Sequence, residues 1–169
     1  MKHTTREMTR AAVIATMYVV LTILQNFLLP GTATMAIQFR LSEALCIFAL
    51  FTPSAIWGLA LGCLIFNLTC STALPLDALV GTCATLLATT VMYFLRNIRI
   101  FKLPLLSLLM PAVFNAFLVG WELTVYIGGA FWLNALYVAV GEMAVLLTLG
   151  TALYFVLSNP RVHRIVFRR

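Results

Sequence analysis

Seven residues stand inside otherwise apolar stretches and are the part of this sequence equipped for chemistry: Arg40, Glu43, Asn67, Asp77, Asn115, Glu122 and Glu142. Carboxylates accept hydrogen bonds and offset cations, a guanidinium donates in a fixed fork, and amides do both. That mixture suits recognition of a small polar molecule. It does not suit turnover, because the partners of turnover are missing. There is no G-x-x-x-x-G-K-[ST] loop, no Ser/His/Asp set, no H-E-x-x-H and no nucleophile elbow. Both histidines, His3 and His163, lie in basic terminal segments. Cys46, Cys63, Cys70 and Cys83 form no C-x-x-C pair and read as small packing residues. No catalytic residue, metal or cofactor is expected.

Each candidate also has a plainer reading. Arg40 and Glu43, at i and i+3, pair with each other on one helix face. Asn67 and Asn134 cap helices or bond across them. Asp77 sits where a helix start favours a carboxylate. Trp121 and Trp132 suit an interfacial aromatic belt, as does Trp57. Glu122 and Glu142 are the hardest to explain without a ligand, since Glu142 lies in a long apolar run with no cation on the same helix.

The elements that carry these residues follow from composition. Of 169 residues, 63% are hydrophobic and 9% charged, against roughly 25% charged in a soluble domain. A membrane-crossing helix needs about 20 mostly apolar residues. The pattern predicts an all-α membrane protein, one integral domain over 1–169, with helices near 9–29, 40–51, 53–67, 76–95, 104–122 and 131–157. Pro111 is a candidate kink. The first run has basic residues before it but no small-residue cleavage site after it, so it reads as a retained helix. Residues 32–38 read as a connector or re-entrant piece, and 69–75 as a loop.

The net charge is +6, but the basic residues sit in three clusters: Lys2, Arg6 and Arg10; Arg96, Arg99 and Lys102; Arg161, Arg164, Arg168 and Arg169. Six spans with the N-terminus inside put all three clusters in the cytoplasm, as the positive-inside rule requires. Five spans do not. On this topology the charged and amide residues converge on the outer half of the bundle, with Asn115 and Glu142 one to two turns deeper. Buried ionisable groups in a membrane mark function by default, and this placement describes a pocket open to the outside. Nucleic-acid binding has no folded soluble module to support it. Two small-residue patterns, Ala11 with Ala15 and Gly58 with Gly62, permit close helix packing.

Four blocks resemble the queuosine-precursor transporters of the QueT type: residues 37–45 (IQFRLSEAL), 58–67 (GLALGCLIFN), 77–88 (DALVGTCATLLA) and Gly141-Glu142. That family comprises S components, the substrate-binding subunits of energy-coupling-factor (ECF) transporters. The resemblance implies the six-helix S-component bundle with both termini cytoplasmic, in the plasma membrane of a prokaryote. It implies a coupling subunit contacted by helix 1 through Ala11 and Ala15, and two cytoplasmic ATPases. It implies a 7-deazaguanine ligand: preQ1, queuine or queuosine. Glu142 or Glu122 would accept the two adjacent donors of such a base. Asp77 or Glu43 would suit the aminomethyl cation of preQ1. Arg40, Asn67 or Asn115 would meet the ring carbonyl, and Phe39, Trp121 or Tyr126 would stack on the ring. Three alternatives remain open at this point: an S component for another vitamin-like nutrient, a stand-alone ion-coupled transporter, and a non-transporting membrane scaffold.

Overall fold

The computed structural model describes residues 2–30, 32, 39–69, 76–100 and 103–167, with only the backbone of residues 2–4. The connector expected over 32–38 and the loop over 69–75 lie almost wholly outside these residues. The described part is helical, and its helices follow the apolar runs: α1 (Lys2–Leu28), α2 (Leu41–Leu50), α3 (Ser54–Thr69), α4 (Asp77–Leu95), α5 (Leu105–Tyr126), α6 (Phe131–Ser158) and α7 (Pro160–Val166). The α1, α4, α5 and α6 helices are long and apolar enough to cross a membrane, while α2 and α3 are shorter apolar helices. Large apolar side chains such as Phe27, Phe94, Phe117 and Leu136 stand exposed on the outside of these helices. Water does not tolerate that arrangement over a whole surface, whereas lipid does.

The expected helices 3, 4 and 6 agree with α3, α4 and α6 to within two residues at either end. The first helix begins earlier than expected, at Lys2, and the fifth runs on to Tyr126. Pro111 acts as a helix start: α5 is interrupted at Leu109 and resumes at Met110, with the proline in the first turn. A seventh helix, α7, follows Asn159, whose side chain accepts a hydrogen bond from the Arg161 N–H at 3.0 Å. Asn159 is thereby an N-cap, with Pro160 pre-set at the next position.

The largest departure from expectation is α2. Residues 42–50 are all buried, and the helix is wound as a 3₁₀ helix. Runs beyond three or four residues in that form are uncommon. The tighter winding rises about 2.0 Å per residue, so ten residues reach about 20 Å where an α-helix would reach about 15 Å. A run too short for an ordinary span therefore forms an extended central post. Around it pack α1, α3, α4 and the middle of α6.

Glycines set the closest approaches. An added Cβ on Gly58 would sit 2.6 Å from the Ala11 carbonyl oxygen, and on Gly62 2.8 Å from Tyr18 Cβ. At the α5–α6 seam, a Cβ on Gly120 would sit 2.8 Å from Ala135 Cα. The α5–α6 turn closes through Gly128 and Gly129, at φ 90° and 88°, a region open to glycine at no steric cost. At the basic end, Phe51 stacks on Tyr154 and Phe167 at ring separations of 5.9 and 5.4 Å, which docks α7 on the foot of α2. Within α6, residues 146–150 form a π turn.

Candidate functional site

The end of the bundle opposite the basic termini gathers the polar groups. Arg40 arrives on the extended residue just before α2, and Glu43 lies in the first turn of α2. Asn67 is near the end of α3, and Asp77 opens α4. Asn115 and Glu122 lie two turns apart on one face of α5, and Glu142 lies about three turns into α6. All seven side chains are buried, Glu122 completely. Four of the chain's five acidic residues thus meet one guanidinium in an apolar surround. The fifth, Glu7, pairs with Arg10 at 3.0 Å at the far end.

The contacts divide the carboxylates by how fully they are engaged. Glu43 is held on both oxygens: the Tyr18 hydroxyl donates to one at 2.8 Å and the Cys46 thiol to the other at 3.2 Å. Asp77 lies 3.9 Å from the Arg40 guanidinium. Its backbone carbonyl accepts from the Asn67 amide at 2.8 Å. Glu142 accepts from the Asn115 amide at 3.1 Å through one oxygen, while its other oxygen meets no donor. Neither oxygen of Glu122 makes a hydrogen bond to a donor either, and the carboxylate of Asp77 is among its neighbours. The side-chain oxygen of Asn67 is likewise unmet. Buried polar groups in folded proteins are paired as a rule, and an unmade bond costs about 1–3 kcal/mol. Four unmet oxygen atoms thus lie on three buried side chains of the cluster.

The i, i+3 pairing anticipated for Arg40 and Glu43 is not how Arg40 is held. Its partner is Asp77 on α4, and Glu43 is taken by Tyr18 and Cys46. Asn134 proves structural: its amide donates to the Thr124 hydroxyl and to the Gly128 carbonyl, each at 3.0 Å, and staples the α5–α6 turn. Trp121 stands outside the cluster, half-exposed, because neighbouring residues on a helix diverge by about 100° and Glu122 takes the inward direction. The side chain of Phe39 is also exposed, at the mouth of the cluster, and its carbonyl accepts from Gln25. Ala15 is buried and Ala11 half-buried where α1 meets Gly58 and Gly62, so the small-residue pattern first serves packing within the chain.

Tyr18 and Gln25 are buried partners of the cluster and its approach that the expectations lacked. Gln25 ties α1 to the approach of α2, accepting from the Leu41 N–H at 2.8 Å and donating to the Phe39 carbonyl and, at 3.1 Å, the Thr32 hydroxyl. A signal was present: Tyr18, Thr22 and Gln25 fall at i, i+4 and i+7, the spacing of one buried face. Tyr18→Phe strips a buried donor from Glu43 and is expected to lower stability by about 1–3 kcal/mol. The readout is the thermal midpoint in detergent, where Tyr137→Phe, a half-exposed tyrosine on α6, serves as the unaffected control.

Comparison with known proteins agrees with this architecture. The family model described as QueT transporter matches residues 8–159, nearly the whole chain. No curated protein and no solved structure gives a significant match. The matched stretch contains every residue of the buried cluster, and on it the chain belongs to the QueT transporter family.

Proposed function

We propose that this chain is the S component of an ATP-driven ECF importer and that its ligand is a queuosine-salvage 7-deazaguanine such as preQ1. The observation that carries the reading is the buried cluster of four carboxylates and one guanidinium at one end of the bundle, with oxygens of Glu122, Glu142 and Asn67 left without donors. A 7-deazaguanine offers donors to such acceptors: its ring N–H groups, an exocyclic amine and, in preQ1, an ammonium. All six longer helices cross the plasma membrane of a prokaryote in this reading, α2 by virtue of its stretched winding, and both termini are cytoplasmic. The lack of a nucleotide-binding loop fits an importer whose ATPases are separate subunits. An apolar groove of about 480 Å³ lined by Met8, Ala11, Ala12, Pro53, Trp57 and Leu61 supports a coupling subunit on the α1 side.

A stand-alone ion-coupled transporter fits less well. Among the described residues, the buried polar groups of the basic half are the hydroxyls of Thr52, Ser54, Thr89 and Ser107, which supply no charged relay. Titration of the purified protein in detergent with preQ1, queuine, queuosine, guanine and riboflavin tests the proposal. A deazaguanine is expected to bind tightly, and Glu142→Gln to weaken it by at least about tenfold, or 1.4 kcal/mol. Folded protein that ignores every deazaguanine sinks the substrate, and binding of a different nutrient replaces it.

A further inference from the structure

The two carboxylates with unmet oxygens sit in different surroundings, and the difference assigns them different work. Glu142 is about three turns deep, with its plane fixed by the Asn115 amide at 3.1 Å. One oxygen is engaged and one is open. A carboxylate held in this way suits the flat edge of a base, whose two adjacent donors need a fixed direction. Glu122 is nearer the mouth, about one turn from the end of α5. Both of its oxygens are open, it is fully buried, and it faces the carboxylate of Asp77. Arg40, the one guanidinium near them, lies against Asp77. Two carboxylates on different helices thus share one guanidinium in this corner, and a cation on the ligand would let both carry charge there.

The acceptors around that corner come from three helices. Glu122 belongs to α5, Asp77 to α4, and the open oxygen of Asn67 to the end of α3. A primary ammonium carries three rotatable donors spread in space, and acceptors from three directions fit it better than they fit a planar edge. Gly81 lets the Asn67 side chain close on α4 beside Asp77, since a Cβ there would come within 2.9 Å of the Asn67 amide nitrogen. Glu43 has fewer open acceptor positions, because Tyr18 and Cys46 each donate to one of its oxygens. Asn115 and Glu122 are seven residues apart on α5, about 10 Å along the axis. That separation sets Glu122 two turns nearer the end of α5 than Asn115.

We propose that Glu122, with Asp77 and the Asn67 oxygen, forms the subsite for a primary ammonium on the ligand, and that the Asn115–Glu142 pair receives the ring edge at the bottom. The ligand thus enters base first and leaves its cation at the mouth. This assignment rests on the reading of the cluster as a ligand pocket and adds the orientation within it. The test compares preQ1 with 7-methyl-7-deazaguanine, which keeps the edge and lacks the amine. Wild-type protein is expected to prefer preQ1 by at least about tenfold. Glu122→Gln is expected to abolish that preference while leaving the neutral base unaffected, and Glu142→Gln to weaken both ligands alike. Equal weakening of both ligands by Glu122→Gln, or loss of the preference in Glu142→Gln, overturns the assignment. If neither base binds, the thermal midpoint in methylammonium chloride against sodium chloride at equal ionic strength decides. Stabilisation by methylammonium in wild type and not in Glu122→Gln keeps the ammonium subsite and discards the deazaguanine. No such difference overturns the subsite as well.

Discussion

Arg40→Ala is expected to cost more stability than any other single change in the polar cluster, about 3–5 kcal/mol. The guanidinium is buried, lies 3.9 Å from Asp77, and also acts electrostatically on Glu43, Glu122 and Glu142. Its removal leaves four buried carboxylates with no cation among them. Breaking one buried pair by deleting a partner already exposes an uncompensated charge to a low-dielectric interior, and here several charges lose the same partner. Whole domains hold only about 5–15 kcal/mol, so a large share of the protein should fail to fold. The check is the thermal midpoint in detergent, with the monodisperse fraction on size exclusion beside it. Arg40→Lys retains the charge without the planar fork and is expected to fall between the two. Arg164→Ala, on exposed α7, should leave the midpoint unchanged. A normal midpoint for Arg40→Ala would show that the carboxylates do not depend on it.

Gly58→Ala is expected to be the most damaging change at a helix seam, at about 3 kcal/mol, the upper end of the usual cost of overpacking. The added methyl would meet the Ala11 carbonyl oxygen at 2.6 Å and Ala11 Cα at 3.1 Å. Both are backbone atoms, so α1 and α3 must separate as whole helices. The damage would spread to the buried polar cluster. One turn along, Gly62 lets Tyr18 close on α3, and Tyr18 holds Glu43. Gly150→Ala is the matched control. Its Cβ would meet side-chain carbons of Ile47 and Leu108 at 3.6 Å, an ordinary contact, and alanine restricts the unfolded chain. That variant should be near neutral or slightly stabilised. Thermal midpoints of the two variants, measured side by side, separate a packing constraint from a general intolerance of helix glycines.

Much of this architecture was legible before any coordinates. The apolar runs located the helices because only helices of such length satisfy the backbone in lipid. Convergence of Arg40, Glu43, Asn67, Asp77, Asn115, Glu122 and Glu142 followed from up-down connectivity, which returns the ends of successive helices to the same side. Three things were not legible, each for a local reason. The winding of α2 was hidden because LSEALCIFAL is buried on every side and shows no period to distinguish a 3₁₀ helix from an α-helix. The division of the carboxylates was hidden because Tyr18 and Gln25 looked like incidental members of an apolar helix. Trp121 was misplaced because adjacency to Glu122 in sequence means divergence on a helix.

The π turn at residues 146–150 has a bearing on how such a protein tolerates change. A π turn holds one residue more than the helix around it, so it works like a single inserted letter that shifts the reading frame of everything downstream. Upstream of it, α6 is phased to Glu142 and the buried polar cluster. Downstream, it is phased to Tyr154 and the aromatic stack on Phe51. The two ends of one helix are thereby decoupled in rotation. Each half keeps the face it packs with, much as a coupling in a drive shaft lets each half keep its own alignment.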